Sequence, residues 1–80
     1  MKAREIRRLR KATGLTQLPF AQRAHISPMK LSLLECGHVK ATPEDIEAIR
    51  RVVLDEARRR RQELQQILGD AELAGIGVNA

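Results

Sequence analysis

The sequence has one aromatic residue and no long apolar run. Phe20 stands alone among its 80 residues, because tryptophan and tyrosine are absent. A core must therefore consist of leucine, isoleucine, valine and alanine, which favours packed helices. Single-stranded nucleic acid is a disfavoured ligand because its binding relies on aromatic stacking. No segment approaches the ~20 apolar residues of a membrane span, so we expect no membrane partner.

Cysteine and histidine are also scarce. Cys36 is the only cysteine, so no disulfide can form within the chain. Cys36 and the two histidines fall short of a closed zinc site, and we expect neither metal nor cofactor. The basic N-terminus lacks the apolar stretch of a secretory signal. We therefore expect a cytoplasmic protein.

Residues that serve as nucleophiles or bases in enzymes occur in the middle of the chain, namely Ser27, Ser32, His25 and His38. None of them has an acidic partner at an evident catalytic spacing, and there is no glycine-rich phosphate loop. We expect the protein not to be an enzyme and to have no small-molecule substrate.

Positive charge is in excess. The chain has 15 Lys and Arg against 10 Asp and Glu, a net charge of +5 that suits a polyanionic partner. Most of the excess lies in residues 1–11, where only Glu5 opposes six basic residues, and in the arginine block 58–61. The alternative is that the basic N-terminal segment is only a solvated helix surface.

Apolar spacing and end signals predict an all-α fold of four to five helices. A helix over residues 2–12 precedes Gly14, whose left-handed conformation suits a helix end. A second helix over residues 17–24 follows Thr16, a good N-cap residue. Ser27 and Pro28 then predict a third helix that ends at Cys36.

A long C-terminal helix is predicted next. Thr42 and Pro43 form a start signal with Asp45 in the place of a capping box, and no Gly or Pro follows until Gly69. We expect one helix over residues 44–68, or two joined by a slight kink. The domains would be a compact helical bundle at 1–54, a helical extension at 55–68 and a flexible tail at 69–80.

The extension carries a weak coiled-coil pattern. Its seam consists of Leu54, Ala57, Arg61, Leu64 and Leu68, spaced alternately by three and four residues. One interpretation is dimerisation, and the other is that this stripe packs back on the same subunit.

Residues 17–36 carry the most specific pattern. Ala21 allows two short helices to cross closely, and apolar residues fill the contact, namely Phe20, Ala24, Ile26, Leu31 and Leu34. With Thr16-Gln17, Leu31-Ser32-x-Leu34-Glu35-x-Gly37 and Thr42-Pro43, the chain resembles the helix-turn-helix of the phage repressor and Cro family, also called the XRE family. The resemblance extends over roughly residues 4–54 and implies a compact helix-turn-helix bundle.

The resemblance also implies a role for each matching residue. The helix over residues 28–36 would lie in the major groove of duplex DNA, and Gln17 would contact a phosphate or a base. Base edges would face Ser27, Pro28, Met29, Ser32 and Leu33. Phosphates would be held by Lys30, Lys40, Arg7 and Lys11. Arg10 and Glu35 would form a structural ion pair.

Two departures from the family pattern affect these expectations. His25 stands where relatives usually have glycine, which predicts a non-glycine residue with positive φ. Pro28, Met29 and Leu33 cannot donate hydrogen bonds to bases, although they can contact thymine methyl groups. Sequence selection would then depend on Gln17, Ser27, Lys30 and Ser32, or on DNA shape.

The function expected from this pattern is transcription regulation of the repressor type. A homodimer would bind a pseudo-palindromic operator whose half-sites are one helical turn apart. The alternative is a protein-interaction module, such as an antitoxin-like or polymerase-binding regulator, that uses the apolar residues of the same helix. Salt dependence distinguishes the two, because phosphate contacts weaken steeply with salt.

Overall fold

Four helices make up the part of the chain that the computed structural model describes, residues 1–75. They are α1 (Ala3–Thr13), α2 (Gln17–Ala24), α3 (Pro28–Cys36) and α4 (Pro43–Leu73). There is no strand among these residues. The all-α class with a long C-terminal helix is confirmed, at the lower of the two expected helix numbers.

The helix starts differ in how they are capped. The Ser27 hydroxyl accepts a hydrogen bond from the Lys30 amide at 3.1 Å. At the start of α4, the Thr42 hydroxyl accepts from the Asp45 amide at 3.1 Å, and the Asp45 carboxylate accepts from the Thr42 amide at 3.0 Å. Thr16 occupies the expected N-cap position of α2, but its side chain makes no capping hydrogen bond.

The helix α4 is continuous from Pro43 to Leu73, so no kink divides it and it passes through Gly69. The expectation that Gly69 ends this helix is wrong. One glycine inside a helix costs only about 1 kcal/mol relative to alanine, and the residues that follow support helix. Gly75, with φ 80°, has the left-handed conformation expected at a helix end. The last residues of the expected tail, 76–80, lie outside the described residues.

The core lies where the four helices meet. It consists of Ile6, Phe20, Ala21, Ala24, Leu31, Leu34, Ile49 and Val52, each at most 2% exposed. Ala21 is fully buried, as the close crossing of α2 and α3 requires. No helix within residues 1–75 is long and apolar enough to cross a membrane.

Ion pairs and hydrogen bonds fasten α4 to the bundle as far as Arg60. The buried carboxylate of Glu56 lies 2.7 Å from Arg23 on α2. Arg60 donates to the carbonyls of Ala12 and Thr13 at the end of α1. Farther along, the leucines of the expected seam are exposed, with Leu64 at 67% and Leu68 at 59%. Beyond Arg61, the seam does not pack back on its own subunit in this structure.

Candidate nucleic-acid interface

The outer face of α3 is neutral and mostly apolar. Pro28, Met29 and Leu33 are exposed, Met29 by 75%, and Ser32 is half-buried beside them. Ser27 is exposed at the N-cap. The opposite face packs Leu31 and Leu34 into the core. The residues expected to face base edges therefore lie at the outer side of one short helix.

The basic residue of α3 is already bound within the protein. Lys30 Nζ lies 2.8 Å from Oδ1 of Asp45. Burial raises the pKa of the Asp45 carboxyl, but hydrogen bonds from Lys30 and Thr42 outweigh it and leave the pKa below its usual value. Lys30, expected at a phosphate, thus ties α3 to the first turn of α4. The sequence analysis placed Asp45 in the capping box and missed its second partner.

The acidic residue of α3 is the centre of a second anchor. Glu35 receives two hydrogen bonds from Arg10, at 2.7 and 2.9 Å, and lies 3.3 Å from Nε2 of Gln17. The bond to Glu35 raises the pKa of Arg10. Arg10 also donates to the Leu15 carbonyl at 3.1 Å. The Arg10 side chain is 12% exposed and the Glu35 side chain 3%, and together they connect α1, α3 and the start of α2. Breaking such a buried ion pair lowers the stability by on the order of 3 kcal/mol.

A groove opens beside this anchor, between α1, the start of α2 and the end of α3. Arg7, Thr16, Gln17, Leu18 and Cys36 line it together with the Arg10–Glu35 pair. The first N–H groups of a helix have no partner inside the helix and carry partial positive charge. Because α2 has no side-chain cap, these groups and Arg7 can both serve an anion in this groove.

Two further exposed cations lie on α1 and in the loop between α3 and α4. Lys11 is one helical turn after Arg7 on α1, and both side chains are exposed. Lys40, in the loop between α3 and α4, shares a hollow with Lys2 and Ala3 at the start of α1. Within residues 1–75, Arg7, Lys11 and Lys40 make no ion pair with an acidic side chain.

The sequence analysis missed the ion-pair cluster around Glu56. The carboxylate binds Arg23 and Arg59, with Arg60 at 3.6 Å. A signal was available, because Glu56 follows Ile49 and Val52 at helical spacing on the core side of α4. An acidic residue in such a stripe requires charged partners.

Comparison with known proteins identifies the domain family of this chain. A family model described as a helix-turn-helix domain matches residues 3–64, well over half of the chain. No curated protein and no solved structure matches the chain significantly. The matched residues include all of α1, α2 and α3 and the part of α4 that is fastened to them. The chain therefore belongs to the helix-turn-helix domain family.

Proposed function

We propose that this protein is a repressor-type transcription regulator of the phage repressor and Cro family. It acts in the cytoplasm as a homodimer and places α3 in the major groove of duplex DNA. One observation carries the proposal: α3 exposes a neutral outer face, and three exposed cations, Arg7, Lys11 and Lys40, have no acidic partner in the described chain.

The domain boundaries belong to this proposal as well. The DNA-binding domain comprises residues 1–54, and residues 55–68 extend α4 toward a partner subunit. The helix itself crosses residue 54 without a break. The extension therefore transmits the orientation of the DNA-binding domain rigidly, because a continuous helix has no flexible joint.

Affinity and selectivity are assigned to different residues. Phosphate contacts from Arg7, Lys11 and Lys40 supply most of the affinity, because they release counterions from DNA. Base selection depends on the hydroxyls of Ser27 and Ser32 and on apolar contacts to thymine methyl groups. Gln17 has one amide hydrogen committed to Glu35, which orients its side chain at the edge of the groove.

The test combines selection from random duplexes with a salt titration. The wild type should enrich an inverted repeat. The variant Arg7→Ala should bind all duplexes more weakly and lose about one unit of the slope of log K against log salt. Arg58→Ala is the matched control, because Arg58 is exposed on α4 and its nearest acidic contact is Asp55 at 3.9 Å. It should keep the wild-type slope.

The second candidate function is a protein-interaction module of the antitoxin-like or polymerase-binding kind. The 75% exposure of Met29 favours it, as does a recognition face without a charged side chain. If no sequence is enriched and Arg7→Ala behaves like Arg58→Ala, the DNA proposal fails. The partner of α3 should then be sought among proteins.

A further inference from the structure

One stripe of side chains runs along α4, and α1 covers only its first half. Positions 53, 57, 60, 64, 67 and 71 are spaced alternately by four and three residues, which places them on one helix face. Val53, Ala57 and Arg60 share a hollow with Leu9 and the end of α1. The second half continues past the end of α1. We call it the outer stripe, and it consists of Leu64, Ile67, Leu68 and Ala71.

The outer stripe has no partner in the described chain. Leu64 is 67% exposed, Ile67 57% and Leu68 59%. Such a run on one helix face is what a second helix covers in a coiled coil. We propose that a second copy of this chain covers it, with the two α4 helices antiparallel. The proposal deepens the homodimer of the proposed function and rests on it.

Steric exclusion decides the orientation. A helix seated on the outer stripe lies on the same side of α4 that α1 occupies at residues 53–60. In a parallel pair, the partner's own residues before position 61 would run into α1. In an antiparallel pair, the partner's helix ends there instead, and its DNA-binding domain lies beyond the far end of α4.

The antiparallel register pairs a large residue with a small one in the layers on either side of its centre. With the twofold axis between Ile67 and Leu68, Leu64 lies opposite the partner subunit's Ala71, and Ile67 opposite the partner subunit's Leu68. Alternating sizes let two helix faces interdigitate without voids. A parallel register would instead set leucine against leucine at position 64 and alanine against alanine at position 71.

Charge supports the same orientation. Arg61 makes no ion pair within residues 1–75 and would face the partner subunit's Glu72 near the negative end of its helix. Glu63 would approach the partner subunit's Asp70, but Nη1 of Arg59 already lies 3.3 Å from Glu63 and offsets its charge. A parallel pair would place the arginine blocks 58–61 of two copies side by side.

Disulfide trapping without DNA tests the orientation. In a Cys36→Ser background, chains carrying Leu64→Cys are mixed with affinity-tagged chains carrying Ala71→Cys and oxidised gently. The antiparallel register predicts that the mixed disulfide exceeds both self-linked species several-fold. Self-linked Leu64→Cys chains that form as readily as the mixed species would overturn it.

Sedimentation of two matched variants tests the surface itself. Leu64→Glu should be monomeric at concentrations where the wild type is dimeric. Leu73→Glu makes the same change at a leucine that is 89% exposed on another face of α4, and it should remain dimeric. Circular dichroism confirms that both stay folded. Equal behaviour of the two variants, or a monomeric wild type, contradicts the proposal. Duplex binding by α3 is measured separately, so either proposal can fail alone.

Discussion

Glu56 is the residue on which the attachments of α4 converge. Its side chain is 3% exposed and accepts hydrogen bonds from Arg23 on α2 and Arg59 on α4. The bond with Arg59, followed by the one with Arg23, lowers the pKa of Glu56 from 4.5 to about 2, although burial opposes the shift. The ionised carboxylate is therefore the form that the folded state favours.

This shift predicts acid sensitivity with a defined sign. Because folding lowers the pKa, Glu56 contributes stability that is fully present above pH 4.5 and is lost as pH falls toward about 2. Glu56→Gln should be less stable than the wild type at neutral pH, and the difference should shrink across that window. Urea unfolding at several pH values measures it.

The control for this titration is Glu47→Gln. Glu47 is an exposed acid on the same helix and makes no ion pair within the described chain. Its variant should follow the wild-type stability from neutral pH to about pH 2. A gap between wild type and Glu56→Gln that stays constant with pH would contradict the role assigned to the carboxylate.

At the scale of elements, the turn between α2 and α3 has a non-glycine residue in a strained, left-handed backbone conformation. His25 caps α2 with φ 56° and ψ 37°, and it is the only non-glycine residue with positive φ among residues 1–75. Side chains with a Cβ cost roughly 1–2 kcal/mol in this conformation. The turn holds because the amides of His25 and Ile26 bond back to Gln22 and Ala21, at 3.3 and 3.0 Å.

Removing the backbone strain at His25 should stabilise the protein. We expect His25→Gly to raise the free energy of unfolding by about 0.5–1 kcal/mol, because glycine removes the Cβ clash but gains entropy in the unfolded chain. Thermal and urea unfolding measure the change. His38→Gly is the matched control: His38 is an exposed loop residue without positive φ, and this variant should not be stabilised. Equal stabilisation of both would contradict the strain at His25.

The molecule is a small helical bundle from which the long helix α4 projects, and its extents are 55 × 19 × 19 Å. α3 is anchored near the N-terminal end of α4 by Lys30 and Asp45, and the outer stripe lies toward the other end. In the proposed antiparallel dimer, the two α3 helices are therefore far apart. From Asp45 to Ile67 the helix rises roughly 33 Å, so equivalent points are about 60–70 Å apart along the axis.

This separation predicts the spacing between the two half-sites of the operator. One turn of B-DNA is about 34 Å long, so we expect the half-site centres to be about two turns apart. The resemblance to phage repressors implies a spacing of one turn instead. Binding to inverted repeats of one selected half-site, spaced by one or two turns, measures the preference. Leu64→Glu should lose the preference while still binding a single half-site. Tightest wild-type binding at one turn would contradict the antiparallel dimer.

The sequence by itself determined the helices and most of their ends. The signals at Ser27, Thr42 and Gly14 act within a few residues, so their outcome is readable without the fold. Apolar spacing likewise identified the core residues of α2 and α3, because helical periodicity fixes which side chains share a face. Gly69 was misleading because one glycine is too weak a signal to end a helix whose later residues favour it.

Only the tertiary structure decided which charges are bound inside the protein and which face outward. Lys30 and Arg7 look alike in the sequence, yet Lys30 lies against Asp45 while Arg7 lines the open groove. Arg60 reaches the Thr13 carbonyl, 47 residues away. Such pairs depend on packing between distant segments, because an ion pair forms only where the fold brings the two groups within about 4 Å. The exposed outer stripe was decided in the same way, by where α1 ends against α4.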